Sequence, residues 1–188
     1  MKKNDLRVIK TKKALYDALR NLMKTKTFEE IKVSDICDEA LINRSTFYAH
    51  FEDKYSLLES MINDLKQDLI KELDNNRNYS NTKEYYIEII RLYLDHIENN
   101  KDTYLSIAIN NRNSILTDII YDVIDKDIVS KLNNDEYANK LNIPKDIISK
   151  FFLGAVVNVG IYWIYNMNKY SKEELLNYLI KLIPDEVN

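Results

Sequence analysis

Apolar residues recur at helical spacing over nearly the whole chain, and the polar gaps between those stretches mark where its elements end. Ile9, Leu15, Ala18, Leu19, Leu22 and Met23 line one side of a helix predicted from about Val8 to Lys24, with Tyr16 and Arg20 further round it. Phe28 and Ile31 follow as an apolar pair that can fold down on that helix. Val33, Ile36, Cys37 and Ala40 then make a short helix, for which Ser34 is the expected N-cap. Leu41 and Ile42 turn a tight corner. Asn43 can cap a second short helix, Arg44 to His50, with Phe47 and Phe51 facing inward four residues apart. Asp53 can cap a third helix that opens at Lys54 and runs through Leu57, Leu58, Met61, Ile62, Leu65, Leu69 and Leu73 to about Asp74. That helix is roughly 30 Å long at 1.5 Å per residue.

The run NNRNYSNT, from Asn75 to Thr82, has no apolar period and breaks the pattern. Helical spacing resumes from Lys83 to Glu98 with Tyr86, Ile87, Ile90, Leu94 and Ile97 on one face. A shorter piece spans Lys101 to Asn110, and Ile119, Ile120, Val123, Ile124 and Ile128 mark another from Ile115 to about Leu132. After a polar stretch, Asn133 to Asn142, Pro144 suits the first turn of a helix that reaches about Met167. From Phe151 onward that helix is apolar on nearly every side, so it is expected to have little solvent face. Lys150 and Asn158 interrupt it, and it is expected to be too short to span a bilayer. Both glycines of the chain, Gly154 and Gly160, lie inside it. Each costs about 1 kcal/mol relative to Ala, so each needs a packing reason, such as the close approach of another helix. Ser171 and Glu174 form a capping box for a last helix, which Pro184 ends.

The fold class that follows is all-α, with about nine helices and a division into residues 1–53 and 54–188. The two short helices around Leu41 form a helix-turn-helix, whose second helix enters the major groove of DNA. Asn43, Arg44 and Ser45 stand at the tip of that helix, where side chains reach base edges. Thr46, Tyr48 and His50 carry donors suited to phosphate oxygens. Lys54 is a cation at a helix N-terminus, a place that disfavours positive charge, and an outside anion would account for it.

Charge at first argues the other way, since the net value is −3. Its distribution changes the picture: residues 1–26 hold nine Lys/Arg against two acids, and residues 61–188 hold fifteen against twenty. A basic end on an acidic body steers a polyanion to the N-terminal face. With two Gly there is no glycine-rich phosphate loop, and no HExxH or CxxC spacing occurs, so neither an enzyme nor a metal or cofactor site is expected. The single Cys, Cys37, excludes an intramolecular disulfide and is expected in the core as a small hydrophobe. With no apparent signal or spanning segment, a soluble cytoplasmic location without membrane association is expected.

The run LINRSTFYAHFEDKYSLL resembles the signature of the TetR (tetracycline-repressor) family, T-[LF]-Y-x-H-F-x-[DSN]-K followed by an apolar pair. Thr46, Phe47, Tyr48, His50, Phe51, Asp53, Lys54 and Leu57 match it. Leu41 stands where that family commonly has Gly. A left-handed backbone there would cost Leu roughly 1 kcal/mol or more, so the corner is expected to be shaped differently. The C-terminal stretch, with Phe151, Gly154 and Trp163 followed by Ser171, Glu173, Glu174 and Leu175, is similar to the dimerisation region of a branch that regulates dihydroxyacetone kinase operons.

The resemblance implies a homodimeric transcription factor, expected to be a repressor, on a palindromic double-stranded operator. It also implies a C-terminal helical domain that pairs two chains and responds to a small molecule or a protein effector. A protein-interaction adaptor or a co-activator-dependent activator on the same fold is the alternative. Tyr86, Tyr93, His96, Tyr104, Phe152 and Trp163 are the candidates for an effector pocket. Phe151, Gly154, Ala155, Asn158, Tyr162, Leu176 and Leu179 are the candidates for the dimer interface.

Overall fold

The computed structural model describes residues 3–76, 82–111, 115–133, 139 and 142–183. Lys2, the break at 77–81, most of the polar stretch at 134–141, Pro184 and the side chains of Leu73, Val123 and Ile124 lie outside the described set. The architecture is all-α, and the described residues form nine helices and no strand. These are α1 (Lys3–Met23), α2 (Val33–Ala40), α3 (Arg44–Tyr48), α4 (Lys54–Asn76), α5 (Thr82–Asn99), α6 (Lys101–Asn110), α7 (Leu116–Leu132), α8 (Lys145–Tyr165) and α9 (Lys172–Leu182).

Two compact units emerge, Met1–Asp64 with Leu105–Ile120, and Leu65–Tyr104 with Tyr121–Asn188. The division does not follow a single cut in the sequence. It falls inside α4, α6 and α7, and a segment from the middle of the chain joins the first unit because Ile107, Leu116 and Ile119 pack on that unit's core.

That core is built from Leu15, Ala18, Leu19 and Met23 of α1, Phe28 and Ile31 of the following turn, Ile36 and Cys37 of α2, Phe47 of α3, Phe51, and Leu57 and Leu58 of α4. Each buried Leu, Ile or Phe contributes about 1.5–3 kcal/mol of transfer free energy. Cys37 is free and buried, and burial raises its thiol. α1 begins earlier than the apolar pattern suggested, and its first turns leave Leu6, Val8 and Ile9 exposed, so Ile9 is not a core residue. The N-cap of α2 is Lys32 rather than Ser34. The Asp35 carboxylate reaches back to accept from the Lys32 N–H at 3.2 Å.

The corner after α2 overturns one expectation. Leu41 adopts the left-handed conformation, φ 54° and ψ 41°, with its side chain 94% exposed. Its N–H donates to Asp38 O and the next N–H, of Ile42, donates to Cys37 O at 2.9 Å. That pair of bonds closes the helix and delivers Ile42 to the core, so the corner keeps the shape glycine would give it.

In the second unit α8 and α9 both pack against α5. Ile148, Leu153, Val157, Gly160, Trp163 and Ile164 are buried along it, and Leu175, Leu176 and Leu179 of α9 are buried too. The Trp163 Nε1–H donates to Tyr170 O at 2.9 Å. Ser171 and Glu174 make the expected capping box, and Lys172 pairs with Asp95 and Glu98 of α5 at 2.5 and 3.1 Å. Burial pushes the Asp125 carboxyl up, but hydrogen bonds from Lys150 and Ser149 outweigh it and hold the group below its ordinary range.

The 21 residues of α8 make it long and apolar enough to cross a membrane by length and composition, contrary to the expectation that it is too short. Nor is it closed on every side. Ile147, Phe151, Ala155, Asn158, Tyr162 and Tyr165 are exposed at spacings of three and four, a single stripe along the helix. Seven residues on its other sides are buried within the chain, the pattern of a helix with one face in a core.

Candidate nucleic-acid interface

The tip of α3 is displayed by what lies behind it. Phe47 is fully buried, with its ring 5.9 Å from Phe51 and 5.4 Å from Tyr48. With Phe47 anchored inward, helical geometry turns the positions around it outward. Asn43, Arg44 and Ser45 are exposed, Thr46 and His50 half-buried, and Tyr48 is 57% exposed. The Asn43 backbone opens the helix, accepting from Thr46 N–H and Phe47 N–H at 2.9 and 3.1 Å. Its side chain makes no capping bond, contrary to expectation, and so remains available to a ligand.

An open cleft of about 410 Å³ lies beside the tip, lined by Ile31, Lys32, Val33, Ser34, Arg44, Tyr48, Asp53, Lys54 and Tyr55. Two helices of the unit, α2 and α4, start on its wall. The two helix starts, with the positive ends of their dipoles, therefore line the same space as Arg44 and Tyr48, together with Asp53, whose Oδ1 accepts from Ser56 N–H.

Lys54 requires a correction. Its Nζ donates to Phe28 O, Glu29 O and Ile31 O, each at 2.8 Å, and stands 4.9 Å from the centre of the Phe28 ring. An ammonium has three N–H donors, and here all three are spent. Carbonyls of the α1–α2 turn, not an outside anion, thus account for a cation at this helix start. Burial lowers the Lys54 pKa, with Glu29 and Asp53 opposing. The expected cap is present, since Asp53 Oδ1 accepts from Ser56 N–H at 2.8 Å.

The same turn is gripped from the other side by residues that the sequence did not single out. Asn111, buried at the end of α6, accepts at Oδ1 from Phe28 N–H (2.7 Å) and donates to Met23 O (3.2 Å) and Ile107 O (3.0 Å). Asn110 donates to Lys24 O at 2.7 Å, and Glu29 accepts from Ile115 N–H at 2.9 Å. In sequence, Asn110 and Asn111 read only as a helix stop. Their amides complete the C-terminal carbonyls of α1, a match that needs partners 86 and 88 residues away and leaves no local signal.

The effector candidates do not assemble into one group. Tyr86 and Phe152 pack with Leu132 and Ile148. Trp163 is core, its N–H already bonded. His96 stands edge-on to Tyr104 at 5.7 Å. Tyr93 lies against Gly160, where a Cβ would come within 3.0 Å of its ring and its hydroxyl, so Gly160 has its packing reason inside the chain.

Among the dimer candidates, Phe151 (70% exposed), Ala155, Asn158 and Tyr162 share the open stripe of α8, and a Cβ on Gly154 would meet nothing within 4 Å. Leu176 and Leu179 are corrected: both are buried within their own chain, because the apolar face of α9 is already used there.

Comparison with known proteins agrees with this geometry. Residues 86–185 match the family model described as "Transcriptional regulator C-terminal region", and residues 15–61 match "Bacterial regulatory proteins, tetR family". The chain is 26% identical over 175 residues to the HTH-type dhaKLM operon transcriptional activator DhaS of Lactococcus lactis subsp. lactis (strain IL1403), covering 92% of this chain and 88% of that protein. A 57-residue stretch is 35% identical to the uncharacterized HTH-type transcriptional regulator YxbF of Bacillus subtilis (strain 168). It spans 30% of this chain and only 15% of that protein. Among solved structures, a TetR transcriptional regulator from Streptococcus agalactiae 2603V superposes with a TM-score of 0.66 at 27% identity, covering 97% of this chain and 98% of the other. Both resemblances noted in the sequence, at the reading motif and in the C-terminal stretch, are borne out.

Proposed function

The chain belongs to the TetR family of transcriptional regulators, and from that premise we propose that it is a cytoplasmic homodimer that grips a palindromic operator with two copies of α3. It leaves or remodels that operator when its C-terminal helices change state. The observation that carries this reading is the exposed tip Asn43–Arg44–Ser45, aimed outward by the buried Phe47 beside a cleft where two helix N-termini open. Asn43, Arg44 and Ser45 read base edges, while Thr46, Tyr48, His50 and the N–H groups of the cleft hold phosphates. Lys54 acts from behind, shaping the turn that lines the cleft.

Pairing uses the open stripe of α8, centred on Phe151, Ala155, Asn158 and Tyr162. Gly154 supports this, because it costs about 1 kcal/mol in a helix interior and a Cβ there would meet nothing within 4 Å among the described residues. Gly154→Leu should therefore leave helical content intact and abolish the dimer in light scattering; an unchanged dimer would reassign the stripe. DNA binding is tested by selecting fragments of the source genome with the purified protein. Arg44→Ala should lose about 10-fold or more on the selected site, in line with 1–3 kcal/mol per bidentate base contact. Equal affinity of the variant for selected and scrambled duplexes of wild-type strength would sink the assignment of that tip.

Effector response requires differential affinity for two conformations, and a 100-fold change in DNA affinity takes about 2.7 kcal/mol. The sign of regulation has two readings. Repression is the reading the reading head alone suggests, but the relative that spans 92% of this chain is named an activator, which favours activation. Reporter output from the selected operator in a strain lacking the chain decides between them, rising for a repressor and falling for an activator.

A further inference from the structure

Phe28 is held on both edges of its backbone. Its N–H donates to Asn111 Oδ1 at 2.7 Å, and its carbonyl accepts from Lys54 Nζ at 2.8 Å. The two clamps come from different elements: Asn111 directly follows α6, and Lys54 opens α4 just after the reading helix α3. The Phe28 ring is fully buried, edge-on to Tyr55 at 5.3 Å and 4.9 Å from Lys54 Nζ, so side chain and backbone are fixed together. Asn111 is itself buried, and its amide N–H groups donate to Met23 O and Ile107 O. Both donors are spent in this way, which leaves the residue no part in touching DNA.

What the turn carries is the wall of the reading cleft. Ile31 and Lys32 lie on that wall, Lys32 is the N-cap of α2, and the Ile31 carbonyl accepts from the same Lys54 Nζ. α2 in turn ends at the Leu41 corner that leads into α3. Lys54 fixes the turn from the α4 side, and Asn111 fixes it from the other edge. Hydrogen bonds to base edges weaken steeply with angle, whereas attraction to phosphates depends on charge and little on direction. A loosened turn therefore lowers binding to the correct sequence and spares binding to arbitrary duplex.

We propose that Asn111 is a positioning residue for sequence reading. Through the Phe28 peptide and Lys54 it fixes the α2–α3 reading head, and so sets how well the correct operator is told from other duplex. This rests on the DNA-reading assignment of α3 above.

In the test, full-length protein is titrated by fluorescence anisotropy onto the selected operator and onto a scrambled duplex. Circular dichroism records that each variant is folded at the assay temperature. Asn111→Ala should lower the ratio of the two affinities by about 10-fold, the worth of one base contact, with scrambled-duplex affinity and salt slope unchanged. Lost folding alone would weaken both duplexes equally and leave the ratio where it was. Asn110→Ala removes the neighbouring bonds to Lys24 O and Ser106 O but not the hold on Phe28, and should keep the wild-type ratio. Lys54→Met releases the other edge of the same peptide and should lower the ratio as Asn111→Ala does. The double variant should lose less than the product of the two single losses, because both act on one peptide. Lys54→Met also carries the test should Asn111→Ala not fold. A wild-type ratio in folded Asn111→Ala or in Lys54→Met, an equal drop in Asn110→Ala, or fully multiplied losses in the double variant would each overturn the proposal. Failure of the wild type to discriminate the two duplexes removes instead the DNA-reading assignment beneath it.

Discussion

The first unit clamps its buried turn with polar contacts, and the second leaves one face of its most apolar helix open. In the first, the α1–α2 turn is clamped by three bonds from Lys54 and by the Asn111 amide, and the core residues behind α3 are sealed from solvent. In the second, the most apolar helix leaves Phe151 and its neighbours open. A surface that must match the spacing of a DNA groove benefits from a body with one arrangement. A unit that must respond to something needs surfaces left unfilled by its own chain.

If that contrast is correct, the first unit should be costly to perturb from inside. Phe47→Ala should cost about 3–5 kcal/mol in urea unfolding, as for other buried aromatics. The same change at exposed Phe151 should leave single-chain stability within about 0.5 kcal/mol. Asn111→Ala would strand Phe28 N–H and Met23 O and should cost about 2–3 kcal/mol; a loss below 0.5 kcal/mol would mean the clamp is dispensable. Lys54→Met sharpens the point. Stability should fall by about 1–2 kcal/mol, while the salt dependence of DNA binding stays unchanged. A slope smaller by about 1 with stability intact would restore Lys54 to the phosphates.

Smaller effects run the other way. Leu41→Gly should stabilise the unit by up to about 1 kcal/mol, because the left-handed corner no longer carries a Cβ. A lower melting temperature would show that the leucine side chain contributes more than its exposure suggests. The alkaline limb should carry the least. Burial, with the Asp64 carboxylate beside it, pushes the Tyr16 phenol up to about 12. A folded value above the unfolded value of about 10 gives stability that is complete below pH 10 and lost as pH rises through 12. Tyr16→Phe should flatten stability over that window, and identical alkaline limbs would exclude the contribution.

Most of the architecture was legible in the chain because helical periodicity and caps are local. Phe47 and Phe51 four apart, Ser171 with Glu174, and the turn at Leu41 each act within a few residues. The reading tip was legible for the same reason: once Phe47 points inward, the neighbours must point out. What remained illegible depends on distant partners. The role of Lys54 turns on carbonyls more than 20 residues earlier, and that of Asn111 on a turn more than 80 residues earlier. Leu176 and Leu179 look like any amphipathic seam until the chain's own core claims them, and Gly154 and Gly160 look alike until only one meets a neighbour. Spacing along the chain therefore determined which elements form and which faces they show. Tertiary packing alone decided which polar groups are spent inside and which surfaces stay open, because hydrogen bonds and burial are settled by neighbours in space.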